Sequence, residues 1–470
     1  MNLIHGNKMK RKKFNGTKHL FLLYGVIGLL LAVFSCNEKE FDTQTSQVKI
    51  QLVYPEDFQP TQGIKVKLLN TVTHVVFESQ TDENGIATFD AVSGIYTIST
   101  TESRAIDLQA FIFNGTGNLV VSNTDVSNIG VAKAINLPLL VSKTSQVVIK
   151  ELYCGGCQKD DGSGYFQYDS YVILYNNSSE PATLNNVCLG IVNPYNSNGT
   201  NNDYVDGTNL YYEAEGFIPA GCGIWTFQAP VTLEPYQQIV IALKNAVDNT
   251  TTYKQSINFD NPDYYCTYDI AVFTNVTYYP SPAASIPTGN YLKAYFYGAG
   301  NAWTMSVTSP AFFVFETKDT TPLAWASDAD NYCYYNNSST AANARKKVPV
   351  DWIIDGVEVY AYGNSANRKR LTANVDAGYV ELFNQYGFSL YRNVDQAATE
   401  AIPENEGKIV YNYSLGTQNI TIGGQTVMGT TDPSGIDAEA SIKNGAQIIY
   451  QDTNNSTNDF HQRSKASLRN

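Results

Sequence analysis

Apolar and polar residues alternate along the chain from residue 47 onwards, and a period of two predicts β-strands with one buried face. The alternation is clear over residues 48–52 and again over residues 64–68. Asn84 and Gly85 then form a dipeptide that favours a tight hairpin turn, because both positions accept a positive φ. Residues 86–89 and 95–98 are the expected flanking strands. This stretch therefore predicts an all-β unit.

The residues around this turn carry a family resemblance. Residues 81–89 follow the pattern T-D-x-N-G-x-A-x-F, and residues 94–98 continue with G-x-Y-x-I. Together they resemble the carboxypeptidase regulatory-like, or transthyretin-like (prealbumin-like), β-sandwich, over residues 47–143. The resemblance implies a seven-stranded sandwich with a structural or spacer role and no chemistry of its own.

A second β-rich region follows, which we place at residues 146–470. Residues 147–153 predict a strand, a loop with Cys154 and Cys157 comes next, and a further strand ends in L-Y-N-N-S at residues 174–178. This order resembles the lamin-tail type of immunoglobulin-like domain. Later matching segments are a core strand pair at 350–359, a strand at 387–392 and a closing motif at 452–460.

We therefore predict an all-β chain, with the transthyretin-like sandwich first and a larger lamin-tail-like, immunoglobulin-like β-sandwich region after it. Residues 195–345 are poor in charge and rich in Asn, Tyr and Thr. They are expected as long insertions between strands, either within one domain or as part of a second subdomain. Long insertions of this kind are common places for function.

Taken as a whole, residues 146–470 resemble the uncharacterised Bacteroidota family known as domain of unknown function 4876. The resemblance implies a lipoprotein, often encoded near outer-membrane receptors, and is silent on chemistry. The loop with Cys154 and Cys157 departs from the usual pattern of that family.

The amino terminus reads as a lipoprotein signal peptide over residues 1–35. A basic segment precedes an apolar run at residues 20–34, which is short for a membrane-spanning helix. The run ends in Val33, Phe34, Ser35 and Cys36. A small residue directly before Cys resembles a lipobox, so Cys36 is the expected site of lipidation. Residues 36–46 would then be a tether to the outer membrane, and their acidic start resembles the surface-export signal of Bacteroidota lipoproteins.

Charge narrows the range of partners. The chain has 31 basic and 44 acidic residues, and the predicted signal peptide removes six basic residues and no acidic ones. The difference of 25 and 44 leaves a net charge of −19, which repels nucleic acids and anionic headgroups. Neutral glycans and peptides remain compatible. Tyrosine is frequent at 33 residues, and this favours strands as well as recognition surfaces.

Six cysteines remain once Cys36 is set aside, and all of them lie in the second region. They are Cys154, Cys157, Cys188, Cys222, Cys266 and Cys333. An even number in an exported protein predicts structural disulfides, with pairing that the sequence does not specify. A thioredoxin-like role for the Cys-Gly-Gly-Cys loop is disfavoured, since turn-forming residues follow it instead of a helix.

Candidate catalytic residues are few. Beyond the predicted signal peptide the chain has only His74 and His461, and we expect both on the surface. Carboxylates near one another in sequence are Asp351, Asp355 and Glu358, and Asp437 and Glu439, which would share a face in a strand. Calcium ligands are conceivable at Asp160 and Asp161, and at Asp328, Asp330 and Asn331, but neither set is a complete loop. We expect no enzyme, metal or cofactor.

The sequence thus favours a surface-exposed outer-membrane lipoprotein with a binding or accessory role in TonB-dependent nutrient capture. Its expected partners are the membrane, an outer-membrane receptor, and a glycan or peptide ligand. The alternatives are a structural or adhesive surface protein and a carboxylate-based hydrolase. Capture predicts that aromatic residues of the insertions surround one groove. These residues are Tyr211, Tyr212, Trp225, Tyr264, Tyr265, Tyr334 and Tyr335.

Overall fold

The computed structural model describes residues 45–106, 109–122, 134–400 and 402–469. The predicted signal peptide and Cys36 lie outside these residues. Within these residues strands make up 39% and helices 11%, and no helix is long. The prediction of an all-β protein is therefore confirmed. In the described ranges, no helix is long and apolar enough to cross a membrane.

The first region is a two-sheet sandwich of eight strands. One sheet has the order β4-β1-β7 and the other the order β3-β2-β5-β6-β8. The strands are β1 (Thr45–Val53), β2 (Lys65–Asn70), β3 (Val76–Gln80), β4 (Ile86–Val92), β5 (Gly94–Ile106), β6 (Gln109–Val121), β7 (Ile135–Pro138) and β8 (Leu140–Lys143).

The core of this sandwich follows directly from the period-two pattern. In β2, Val66 and Leu68 are fully buried while the alternate residues face outward. Ile50 of β1 and Ile98 of β5 meet them from the two sheets in one hydrophobic cluster. One buried face on each sheet is what holds a sandwich together.

Three details of the first region differ from the prediction. The described residues of this region form eight strands instead of seven, because β8 adds to the edge of β6. Strand β1 begins at Thr45, within the segment expected as a tether. The turn at Gly85 has the positive φ that the sequence indicated, 76°, but it carries the chain from one sheet to the other.

The second region is organised around one twelve-stranded sheet. Its order is β25-β24-β21-β14-β16-β20-β19-β18-β12-β9-β26-β29, and smaller sheets β10-β11, β13-β17, β15-β23-β22 and β27-β28 flank it. The strands up to residue 242 are β9 (Val147–Tyr153), β10 (Cys157–Gln158), β11 (Tyr165–Phe166), β12 (Tyr171–Asn176), β13 (Ala182–Leu184), β14 (Val187–Ile191), β15 (Phe217–Gly221), β16 (Gly223–Thr226), β17 (Val231–Leu233) and β18 (Gln238–Ala242).

The remaining strands follow in chain order. They are β19 (Tyr265–Thr267), β20 (Tyr291–Phe296), β21 (Ala311–Glu316), β22 (Tyr332–Tyr334), β23 (Ala344–Pro349), β24 (Ile353–Ala361), β25 (Val380–Leu382), β26 (Ser389–Arg392), β27 (Ile420–Ile422), β28 (Gln425–Val427) and β29 (Phe460–Arg463). The α-helices are short: α1 (Tyr211–Glu215), α2 (Pro322–Ser327), α3 (Gln396–Glu400), α4 (Ala438–Lys443) and α5 (Ser456–Asp459).

The large sheet curls around its main hydrophobic cluster. Its two end strands approach each other, and the amide of Phe383, next to β25, donates to Gln462 Oε1 on β29 at 2.6 Å. Strands β9, β12 and β14 are buried at every position. Strand β12 is accordingly a nearly continuous apolar run, while β9 also buries Lys150 and Glu151. Residues 195–345 supply five strands to this sheet, so they are part of the domain core.

A buried arginine joins the distant parts of the second region. Arg392, at the end of β26, is 1% exposed. Its Nε donates to the carbonyl of Ile149 on β9 at 2.7 Å, and its Nη2 donates to Asp355 on β24. Its Nη1 donates to Asp452 at 3.2 Å and lies 3.7 Å from Asp459, both in the closing motif. Burial raises the pKa of Asp355 and of Asp459.

We predict that Arg392→Gln lowers the free energy of unfolding by about 3–5 kcal/mol, since it leaves buried carboxylates without their cation. The measurement is urea unfolding followed by tyrosine fluorescence. Arg368→Gln is the matched control, because Arg368 is exposed and contacts the Gly207 carbonyl and the Tyr204 ring only at the surface. Equal losses in the two variants would show that Arg392 has no special structural role.

Candidate functional site

A polar cleft lies where the two regions meet. It has a volume of about 650 Å³ and receives residues from both sides. The first region contributes Lys65, Lys67, Ser99, Thr100 and Thr101. The second region contributes Asn393, Thr430, Thr431, Pro433, Gln451, Thr453, Thr457, Asn458, Phe460 and His461.

The wall from the first region is the outer face of β2 and β5. Because Val66 points into the sandwich core, its neighbours Lys65 and Lys67 point outward, toward the cleft. Both lysine ammonium groups lie near Glu78 of β3, at 3.2 and 3.6 Å, and all three side chains are about half exposed. One positive charge is therefore left over at this wall.

The opposite wall is built by the closing motif. Asp459 at the end of α5 accepts hydrogen bonds from the amides of Thr453 and Asn455, at 2.9 and 3.1 Å, which folds the motif back on itself. The Phe460 ring then packs on the guanidinium of Arg392, with 4.5 Å between the guanidinium carbon and the ring centroid. The arginine that joins the second region thus also supports this wall.

Direct hydrogen bonds between the regions close the bottom of the cleft. Asn458 Nδ2 donates to Thr101 Oγ1 at 3.2 Å, and Thr101 Oγ1 donates to Asn114 Oδ1 at 2.8 Å. The side-chain amide of Asn114 in turn donates to the carbonyl of Thr453. This chain links β5 and β6 of the sandwich to the closing motif, so the two walls are held in register.

His461, in the wall of the cleft, is a neutral, fully hydrogen-bonded imidazole. Asn393 donates through Nδ2 to the carbonyl of Asn458 at 2.7 Å, which turns its Oδ1 toward His461 Nδ1 at 2.8 Å. Nδ1 therefore carries the proton, and Nε2 accepts from the Tyr413 hydroxyl at 2.7 Å. Burial, with a further contribution from Arg463, lowers the histidine pKa to about 3.

The chemistry that this cleft offers is hydrogen bonding. Its lining consists mainly of hydroxyl and amide side chains, with two lysines, one apolar ring and no carboxylate among the lining residues. Such groups recognise hydroxyls, amides and acidic groups of a ligand. A neutral imidazole held by two partners does not serve as a mobile acid or base near neutral pH.

The predicted aromatic groove is not present. Tyr212 and Trp225 are fully buried in two different hydrophobic clusters, and Tyr264 packs against a third. Tyr265 packs on Phe227, at 5.4 Å between ring centroids. The remaining three residues lie around β22 and α1, where Arg345 stacks on Tyr335. These residues are Tyr211, Tyr334 and Tyr335. The aromatic side chains of the insertions mainly build cores.

The cysteines also differ from the prediction of disulfides. All six are free and buried: Cys154, Cys157, Cys188, Cys222, Cys266 and Cys333. They are spread over separate clusters, and the two thiols of the Cys-Gly-Gly-Cys loop face different neighbours. Cys154 lies in the main apolar cluster, while Cys157 contacts Asp169 at 3.8 Å. Burial raises the pKa of both thiols to about 12, which opposes thiolate chemistry.

The two histidines differ in their exposure to solvent. His74 is exposed, as predicted, in a turn of the first region. The prediction that His461 lies on the surface is wrong, because residues 460–463 form β29, which pairs with β26 at the end of the large sheet and is buried. Sequence reasoning also missed the two lysines of the cleft, although the alternation in β2 had already placed them on its outer face.

The carboxylates that were candidates for catalytic pairs mostly interact with other groups instead of with each other. Asp355 is bound to Arg392, Glu358 forms a buried ion pair with Arg370, and Asp351 is exposed. Asp437 and Glu439 are not in a strand. Asp437 caps the N-terminus of α4, and Glu439 contacts the buried ammonium of Lys150 at 2.7 Å.

The candidate calcium ligands serve the backbone instead. Asp160 accepts from the amide of Lys254 at 3.0 Å, and Asp161 closes a turn by accepting from Ser163. Asp328 caps a 3-10 helix at Ala329–Asn331, and Asn331 donates to the carbonyl of Trp325. Within the described ranges, no three His, Cys, Asp or Glu side chains are grouped to hold a metal ion.

Comparisons with known proteins point to a family of unknown function. Residues 234–419 match a family model described as protein of unknown function, DUF4876. The resemblance to this family is thus confirmed. A crystal structure of a DUF4876 family protein from Bacteroides thetaiotaomicron VPI-5482 is similar at a TM-score of 0.47 and 18% identity, covering 88% of this chain and 94% of that chain. The curated proteins contain no match.

We predict that His461→Gln reduces the loss of stability in acid. The folded pKa is lowered, so the neutral histidine contributes stability above the unfolded pKa of 6.5, and this contribution is lost as the pH falls toward 3. Between pH 7.5 and pH 5, protonation of the histidine stabilises the unfolded wild-type protein by about 2 kcal/mol. The variant has no imidazole at this position, so its free energy of unfolding should not fall by this amount. Urea unfolding at both pH values measures it.

His74→Gln is the control for this experiment and should leave the pH dependence unchanged, since His74 is exposed. The carboxyl groups with raised pKa values are common to all three proteins and cancel in the comparison. An unchanged acid loss in His461→Gln would mean that the imidazole is not held neutral.

Proposed function

We propose that this chain is a surface-exposed outer-membrane lipoprotein that binds a polar ligand, a glycan or a peptide, without catalysis. In this proposal it hands the ligand to a TonB-dependent receptor. The observation that carries the binding role is the polar cleft of about 650 Å³ between the two regions. Clefts between domains with a few convergent polar groups are common ligand sites.

The chemistry of the lining indicates the ligand class. Ser99 and Thr101 on one wall and Thr431 and Asn458 on the other present hydroxyl and amide groups across the same space. These groups match the hydroxyls of a sugar or the amides of a peptide. Lys65 and Lys67 at the rim favour a ligand that also carries an acidic group, since only one carboxylate is close to them.

The contacts favour binding over hydrolysis. In each candidate pair, carboxylates bind a buried cation or cap a helix. The lining of the cleft has no carboxylate. A glycosidase needs two carboxyl groups that face each other across the sugar. The structural or adhesive alternative gains from one observation, the use of the insertion tyrosines as core residues.

We predict that Thr431→Arg weakens binding of any glycan or peptide that the wild-type protein retains in a screen. Thr431 is exposed and lines the cleft, so the larger side chain fills the space without disturbing a core. Affinity should fall at least about tenfold, which corresponds to 1.4 kcal/mol. The screen uses residues 37–470 immobilised on a biosensor.

Thr421→Arg is the matched control, because Thr421 is exposed on β27 and does not line the cleft. It should bind as the wild type does. A ligand that Thr431→Arg binds with unchanged affinity would place the site elsewhere. Turnover of that ligand would contradict the non-catalytic role.

The lipid anchor is predicted to depend on Cys36. Cys36→Ser should move the protein from the detergent phase to the aqueous phase in a phase-partition experiment, because the acylated thiol is lost. Mass spectrometry of the wild-type N-terminal peptide should show a diacylglyceryl cysteine at position 36. A variant that stays in the membrane with its first 35 residues uncleaved would contradict the lipoprotein proposal.

A further inference from the structure

Exposed aliphatic side chains are concentrated at one end of the first region. The set, here called the apolar tip, lies on the β2–β3 hairpin and on the adjoining ends of β5 and β6. Its members and their exposed fractions are Leu69 37%, Val72 75%, Val75 49%, Val76 51%, Ile95 51% and Val120 69%. Contiguous apolar groups on a soluble surface mark an interaction site.

The members of the apolar tip are neighbours by strand register. Leu69 of β2 lies opposite Val76 of β3, and Ile95 of β5 lies opposite Val120 of β6. The amide of Thr71 donates to the carbonyl of Ile95 at 2.9 Å, which connects the two pairs. The apolar tip is therefore one surface and not a scatter of single residues.

The hairpin that presents the most exposed valine is held in a defined shape. Buried Asn70 accepts through Oδ1 from the amides of Val72 and Thr73, at 3.0 and 2.9 Å. Its carbonyl accepts from the amide of His74, which has a left-handed φ of 57°. Val72 thus projects from an ordered turn whose polar groups are satisfied, and its exposure is built into the hairpin.

The end of the sandwich that carries the apolar tip is also where the chain enters. Thr45, the first described residue, pairs with Val92 at the end of β4, and β5 begins two residues later at Gly94. The opposite end of the sandwich leads to the second region through β8 and β9. Strand β5 alone has 13 residues, so the two ends are separated by about 40 Å.

The short segment between Cys36 and Thr45 limits how far the apolar tip can be from a lipid on Cys36. Cys36 precedes Thr45 by nine residues. An extended chain spans at most about 3.3–3.6 Å per residue, so a lipid on Cys36 holds this end of the sandwich within about 30 Å of the bilayer. Aliphatic side chains presented at that distance fit the boundary between lipid headgroups and acyl chains.

We propose that the apolar tip docks on the bilayer surface and inserts its valine side chains between the lipid headgroups. This inference rests on the lipid anchor of the proposed function and adds a second contact with the membrane. Anchoring by acyl chains together with a protein contact fixes orientation, which acyl chains alone do not. The sandwich then stands on its tip, and the cleft begins further along the same strands, since Lys67 is two residues from Leu69 on β2 and Ser99 is four residues from Ile95 on β5.

The experiment measures the depth of the tip directly and uses an artificial tether. Residues 37–470 receive an N-terminal hexahistidine and are held on phosphatidylcholine vesicles that contain a nickel-chelating lipid. Val72→Cys is labelled with an environment-sensitive fluorophore, which is selective because the other cysteines of this fragment are buried. Val205→Cys is the control, since Val205 is 69% exposed and belongs to the second region.

Replacing the lipid by its brominated form should quench the label at residue 72 at least about twofold and leave the label at residue 205 unchanged, because bromine quenches only groups that reach the acyl chains. Val75→Asp in the same labelled protein should remove the quenching. Equal fluorescence with both lipids at residue 72 would overturn the proposal. So would a change in the residue 72 label that depends on protein concentration without vesicles, which would identify a second copy as the occupant.

The artificial tether separates this test from the proposed function. If Cys36 is not lipidated in the cell, the quenching experiment is unaffected, and only the mass of the N-terminal peptide reports that failure. If the cleft binds no ligand, the depth of residue 72 is likewise unchanged.

Discussion

The pairing of Arg392 with three aspartates is the interaction on which the architecture of the second region depends. The guanidinium reaches β9 through Ile149, β24 through Asp355, and the closing motif through Asp452 and Asp459. These segments are far apart in sequence, and a buried cation with several acceptors holds them in one arrangement. Because an unpaired charge in that place is costly, alternative pairings of the same strands are disfavoured.

The cleft is a consequence of this arrangement. Phe460 rests on Arg392, and the next residue along the chain from that arginine, Asn393, orients both Asn458 and His461. Asn458 then contacts Thr101 of the sandwich. A line of direct contacts therefore runs from Arg392 at the end of β26 to the wall of the first region. The polar residues of the site form hydrogen bonds that hold the structure together. Their remaining donors and acceptors face the cleft.

Local sequence patterns predicted the positions of the strands well, but they predicted poorly which side chains are buried and what they contact. Strand β9 occupies residues 147–153 as predicted, and the sandwich core follows from alternation in β1 and β2. His461 was misplaced because its burial depends on pairing with β26, about seventy residues earlier in the chain, which no local signal reveals. Asp437 and Glu439 would share a face only in a strand, whereas Asp437 is a typical helix N-cap, so the sequence itself indicates the helix that the structure has there.

Side-chain composition was equally ambiguous. An abundance of tyrosine fits both a recognition surface and a strand-rich core, and in this chain Tyr212 and the neighbours of Trp225 serve the core. The two uses differ only in what packs on the ring, and that is set by tertiary contacts. By contrast, the cleft lysines could have been found from β2 alone, since alternation places Lys65 and Lys67 on the face that the sandwich does not use.

Hydrogen exchange of residues 37–470 with and without a ligand from the screen tests most directly whether the junction is the binding site. Binding across the cleft should slow exchange together in residues 99–101 of the sandwich and in residues 430–433 and 457–461 of the second region. These segments form the two walls, so a ligand between them protects both. Protection confined to one wall, or protection of the insertions at residues 195–345 with both walls unchanged, would contradict the account.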